Sequence, residues 1–210
     1  MSEILSQSER DSLAKLVADV ERTTAGELVT VVVHRSAAYA AFRIGWAAGL
    51  ALVLANVVHL VWPDLPVMEL LGGQAFVAIS LAVGLGWSPL LRLILPRWVK
   101  QQAVDQHAKR LFLELGVTET RDRSGVLIFL SEFERRVVIL GDRGIHEHLG
   151  MAAWEAHVAE LIQSIRAGKA AAGLRTILSS LGEQLAAKFP PRPDDIDELP
   201  NAVVTDDPHA

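Results

Sequence analysis

The block RRVVILGDRGIHEHLG, residues 135–150, breaks an apolar run at Gly-Asp-Arg-Gly and places Asp142 where that run must stop. Two more carboxylates hold comparable positions, Glu27 opening the run LVTVVV and Asp122 preceding GVLIFLS. Carboxylates together with loop carbonyls make an oxygen-rich donor set that suits Mg²⁺ or Ca²⁺, and such an ion could polarise a phosphoryl oxygen. Asp122 and Asp142 are therefore candidate catalytic residues, and Glu27, Asp122 and Asp142 are candidate metal ligands. A structural reading competes with this one. Asp142 would hydrogen-bond its own turn, with Gly141 and Gly144 supplying backbone freedom, and Asp122 would pair at the surface with Arg121, Arg123 or Arg143.

Other devices of hydrolytic chemistry are missing. The chain has no cysteine, which removes thiolate nucleophiles. There is no His-Glu-x-x-His zinc helix and no Gly-x-x-x-x-Gly-Lys-Ser phosphate loop, and the first strand ends in VVVHRS rather than in a pair of aspartates. His146 and His148, two apart, point to different sides of a helix. His157 and Trp154, three apart, share a helix face in the manner of packing residues. Arg135 and Arg136 alternate along a strand, so a shared anion site is not expected of them.

The carboxylates must be positioned by the elements around them. SERDSLAKLVADVERTT reads as an amphipathic helix with Ser8 as N-cap and Asp11 three residues on, and with Leu13, Leu16, Val17 and Val20 on one face. Leu28 to Val33 read as a buried strand. Residues 98–115 form a helix capped by Gly116, growing out of the apolar segment before it. Residues 125–131 and 135–141 form an antiparallel hairpin. Two helical stripes follow, Trp154, Val158, Leu161, Ile162 and Ile165, then Leu174, Ile177, Leu181 and Leu185. Residues 190–210 carry six carboxylates, five prolines and one arginine, an acidic tail in which Leu199, Val203 and Val204 stand out as groups able to dock.

Mean hydropathy is +0.28 although 21% of residues are charged, so the apolar excess must be local. It lies in residues 44–62 and 71–91, neither of which holds an Asp, Glu, Lys or Arg, and each reaches the roughly 20 residues that cross a bilayer. Trp46, Trp62, Trp87 and Trp98 lie in or beside these spans, as rings of the headgroup layer do. Asn56, His59 and Ser80 are expected to hydrogen-bond between the two helices. Arg35, Arg43, Arg92, Arg97 and Lys100 flank the pair while the intervening loop carries only Asp64 and Glu69, which places both termini in the cytoplasm. The opening residues show no cleavable signal peptide, and a net charge of −5 gives no general attraction to nucleic acid.

The division expected is a first domain part at 1–43, a transmembrane hairpin at 44–95, a second domain part at 96–189 and a tail at 190–210. One isolated strand cannot satisfy its backbone, so the two flanking parts must form one α/β domain. Its fold is an α/β/α sandwich with a small mixed sheet, the hairpin inserted between the first and second strands.

AGELVTVVV, RSGVLIFLSEFERRVVILGDRGI, the tryptophan helix and DELPNAVV, taken in this order, resemble the TPM domain family, and in particular its bacterial branch with two membrane spans inside the domain. The resemblance runs over residues 8–205 and is most specific at Gly125–Ile145. It implies an α/β/α sandwich. It also implies one of two functions, since some plant members are described as acid phosphatases acting in photosystem repair and an animal member modulates a ligand-gated channel. The function expected here is an interaction or assembly module in the bacterial inner membrane, whose partners are the bilayer and another membrane protein. The alternative is a metal-assisted phosphomonoester hydrolase.

Overall fold

A computed structural model of the chain describes residues 5–149, 159–165, 167–192 and 199. It divides into two compact units, one of Met1–Ala37 with Trp98–Ala210 and one of Ala38–Arg97.

In the first unit, helix α1 (Gln7–Glu21) starts two residues earlier than its sequence suggests. Ser6, not Ser8, is the N-cap, because Ser6 and Glu9 close a reciprocal capping box. Hydrogen bonds from the Ser6 hydroxyl and backbone N–H, 2.7 and 2.8 Å from Glu9, hold that carboxyl below its ordinary pKa. Their contribution to stability is therefore present above the usual carboxylate range and fades as pH falls through the lowered pKa.

Strand β1 (Leu28–Val33) pairs in parallel with β2 (Val126–Ser131), which pairs antiparallel with β3 (Arg136–Gly141), giving a mixed sheet in the order β1-β2-β3. Every residue of β1 and β2 is buried, which requires cover on both faces. Alternation sorts the side chains. Leu28, Val32, Val126, Ile128 and Leu130 join a core built with Leu13 and Val17 of α1. That core also takes in helical residues 159–165 (here α7) and helix α8 (Ala170–Lys188), including Leu161, Leu174, Ile177, Leu181 and Leu185. Val29, Val31, Val33, Leu127 and Phe129 face the other way, onto Val104, Ala108 and Leu111 of the helix Arg97–Glu114. The unit is the expected α/β/α sandwich. Trp154, Val158 and His157 lie outside the described residues.

The second unit holds helix α2 (Ala40–Val61), helix α3 (Val67–Gly84) and the short helix α4 (Ser88–Ile94), with α5 (Arg97–Glu114) following. The helix Arg97–Glu114 does not grow out of the second span. Pro96 disfavours helical backbone at the residue before it, and Leu95 is extended at ψ 120°. A further break at Leu85–Trp87 ends α3, so the second apolar segment is two helices rather than one. Ala47, Ala51 and Ala55, four apart on α2, are buried. The Asn56 side-chain amide donates to the Leu52 carbonyl at 2.8 Å, so its hydrogen bond stays within α2 instead of joining two helices. The helices α2 and α3 are long and apolar enough to cross a membrane.

Candidate functional site

Parallel pairing of β1 with β2 and antiparallel return through β3 bring the start of β1, the start of β2 and the end of β3 to one end of the sheet. The Val126 N–H donates to the Glu27 carbonyl at 2.8 Å, and the Asp142 N–H donates to the Gly125 carbonyl at 2.9 Å, so Glu27, Gly125 and Asp142 lie in a row across three strands. Asp142 immediately precedes helix α6 (Arg143–Leu149), whose first turn rests on the loop before β2. A Cβ on Gly144 would come 2.7 Å from the Asp122 carbonyl oxygen and 2.8 Å from that of Arg123. Gly144 is thus small because two backbones meet there, and its φ is not in the left-handed region. The topology gathers all three candidate carboxylates at this end.

Each aspartate already has a cationic partner. The Asp122 carboxylate is ion-paired with Arg192, a residue of the C-terminal segment, while Arg123 faces Asp142. Arg143 reaches Glu147, at 3.4 Å. Asp142 accepts from the Arg143 N–H at 2.7 Å through Oδ1, the local turn bond, while Oδ2 lies 3.7 Å from Arg123 Nη1. Glu27 and Asp142 are both buried. Ca²⁺ or Mg²⁺ asks for about six oxygen ligands. Among the described residues no three of His, Asp or Glu stand close enough to hold a metal. With guanidinium groups on Asp122 and Asp142, the donor set as it stands does not fit a divalent cation.

The opposite end of the sheet carries a polar network that no sequence motif announced. Where β1 and β2 end, Ser131 Oγ donates to the Glu134 carboxylate, and Ser36 Oγ donates to Ser131 Oγ at 3.0 Å. The Ser36 N–H also reaches Glu134, at 3.2 Å. His34 Nδ1 lies 3.2 Å from Glu132, and the Arg35 guanidinium sits 4.4 Å over the Phe133 ring. Glu134 and Ser131 are buried, and Arg135 closes the turn in left-handed backbone at φ 52°. The signal was two strand-end strings, HRS and SEFER, that become neighbours only when the strands pair in parallel. Here the network holds the chain as it leaves β1, four residues before α2 begins.

Removing the Glu134 acceptor would strand the Ser36 N–H and the Ser131 hydroxyl. Glu134→Ala should therefore cost about 2 kcal/mol in denaturant unfolding, and Glu134→Gln, which keeps an acceptor oxygen, clearly less. Equal stability of Glu134→Ala and the parent chain would show the network to be without weight.

His146 and His148 lie on α6, with side chains outside those described. Arg135 belongs to the turn rather than to a strand, whereas Arg136 is in β3 opposite Ser131.

Comparison with known proteins bears on these elements. A family model described as TPM domain matches residues 92–184, which takes in β2, β3, Asp122, Asp142 and most of α8. The resemblance read from the sequence holds over that stretch. Among solved structures, the BA42 protein from the psychrophilic bacterium Bizionia argentinensis, determined by NMR, is similar at a TM-score of 0.61 and 20% identity, over 98% of each chain. At that identity the likeness shows the fold. No curated protein matches the chain.

Proposed function

We propose that this chain, which matches the TPM domain over residues 92–184, is a membrane-anchored interaction module. Its α2 and α3 cross the inner membrane as a hairpin, with both termini in the cytoplasm. Its α/β/α layers there serve to recognise another membrane protein. One observation carries this reading. Of the large apolar side chains exposed among the described residues, all but Trp98 and Leu113 lie between Ile44 and Leu93. Leu60, Met68, Phe76 and Val83 are each more than 70% exposed, at 83, 79, 72 and 74%. In water each such side chain would forgo on the order of 2 kcal/mol of burial, whereas lipid supplies the apolar environment they lack.

The chain has no cysteine, so a single introduced thiol reports its own side of the membrane. A cysteine at Asp64 should react with a membrane-impermeant maleimide from outside intact cells, and one at Ser179 should react only after lysis. Reversed labelling would overturn the orientation, and release of the protein by carbonate wash would overturn the spans.

A second reading, metal-assisted phosphomonoester hydrolysis, is favoured by the convergence of Glu27, Asp122 and Asp142 at one sheet end. It requires Arg192 to leave Asp122. Hydrolysis of a generic phosphomonoester with added Mg²⁺ or Ca²⁺, at neutral or acid pH and lost in Asp142→Ala, would favour it over the interaction module.

A further inference from the structure

The second apolar segment continues past its membrane span. Helix α3 has 18 residues, about 27 Å at 1.5 Å per residue, which already matches the thickness of the hydrocarbon layer. After the break at Leu85–Trp87 comes α4, seven residues and about 10 Å long, which ends where Leu95 turns extended before Pro96. Its two sides differ. Leu91 and Leu95, four apart, are buried, whereas Leu90 and Leu93, three apart, face outward, Leu93 with 82% of its surface exposed. Trp87, the N-cap, is 70% exposed. Arg92 stands in the last turn of α4, and Arg97 follows Pro96. Arg43, from the first turn of α2, reaches the break itself, because a Cβ on Gly86 would stand 3.3 Å from its Nη1. From this juxtaposition we propose that α4 lies in the plane of the membrane surface as an interfacial helix selective for anionic phospholipid. Trp87, Leu90 and Leu93 enter the acyl boundary, and Arg43, Arg92 and Arg97 meet the headgroup charge.

Charge selects the occupant. No Asp or Glu occurs from Leu28 to Pro63 or from Leu70 to Val104, so the chain on either side of this end of the hairpin carries cations alone. A guanidinium pairs with phosphate through two parallel N–H bonds, and anionic lipid adds a net charge that zwitterionic lipid lacks. A second copy of this chain on the same surface would set its own Arg43, Arg92 and Arg97 against these three, and like charges repel. A lipid surface also continues the apolar environment that the exposed side chains of α3, Phe76, Ile79 and Val83, require. The amphipathic ring of Trp87 suits the boundary between the two layers.

The assignment rests on the hairpin's crossing the membrane, and the test separates the two. The full chain, as Leu93→Cys or as Phe76→Cys, carries a single thiol that takes a bimane label. Each is reconstituted into vesicles of phosphatidylcholine with a minority of phosphatidylglycerol, one lipid or the other bearing brominated acyl chains that quench the label. At Leu93, quenching per brominated lipid should be about fivefold stronger from phosphatidylglycerol than from phosphatidylcholine, the effect of roughly one cation near a charged surface. At Phe76, within the span, the two lipids should quench alike. Adding Arg92→Gln and Arg97→Gln should bring the Leu93 ratio close to one. So should about 1 M salt on the chain with its arginines intact, where the screening length falls to about 3 Å, and this arm carries the test if the arginine variant does not fold. Absence of quenching at Phe76 overturns the hairpin and the interfacial helix together. Quenching at Phe76 with none at Leu93, or with equal quenching by both lipids there, overturns the interfacial helix and leaves the hairpin standing. A preference that survives salt overturns the role of the arginines.

Discussion

Phe129→Ala is expected to remove roughly 3–5 kcal/mol of stability from the α/β unit, which is a large part of the 5–15 kcal/mol that holds an ordinary domain folded. The ring is fully buried at the middle of the central strand β2, between Val31 on one side and Val138 on the other. It fills the core shared with Val104, Ala108 and Leu111, and the His107 ring meets it nearly edge-on at 5.2 Å between centroids. No neighbour can close the gap, because β2 is pinned by both strands and α5 is held by the same cluster. Phe129→Leu, which keeps much of the volume, should cost less than about 1.5 kcal/mol. Melting of Phe129→Ala within about 2 °C of the parent chain would mean that α5 collapses into the space and that this face is not a packed core.

The second large effect is expected at Gly125. A Cβ placed there would overlap the Val117 carbonyl oxygen, and it would come 2.8 Å from Val117 Cγ1. The obstacle is backbone, and Val117 is itself buried just beyond α5, so it has little room to retreat. Gly125→Ala should cost about 3 kcal/mol as the loop before β2 is pushed off the helix end. The Gly125 carbonyl also accepts from the Asp142 N–H at 2.9 Å, so the same shift should loosen the turn that carries Asp142. Hydrogen exchange at Asp142 and Ile145 would then quicken along with the loss of stability. Unchanged exchange at those amides, together with unchanged melting, would sink the expectation.

The elements were legible where periodicity is strong. Leu28–Val33 and the two strands of the hairpin are runs of branched apolar residues that have no stable alternative to a sheet covered on both faces. The stripe Leu174, Ile177, Leu181 and Leu185 fits a helix alone, and all four are buried on α8. Helix ends were less legible. Ser6 and Ser8 both precede plausible cap partners, and only the bond from Ser6 to Glu9 selects between them. The break of the apolar segment 71–91 at Leu85–Trp87 falls beside Gly86 and just before Pro89, which opens the next helix, a signal carried by backbone chemistry that hydropathy does not register.

At the candidate site, strand ends were enough to bring Asp122 and Asp142 to one end of the hairpin, and it is the parallel sense of the β1–β2 pairing that brings Glu27 to the same end. The identity of their partners was not readable. Arg192 is 70 residues from Asp122 along the chain, and Ser36 and His34 are more than 90 residues from Glu134 and Glu132. Local sequence therefore determined the strands, the amphipathic helices and the two uncharged helices, each of which follows from short-range periodicity and composition. Tertiary structure alone decided which charge neutralises which carboxylate, since an ion pair forms between whatever groups folding brings within a few ångströms, and distance along the chain does not enter that energy.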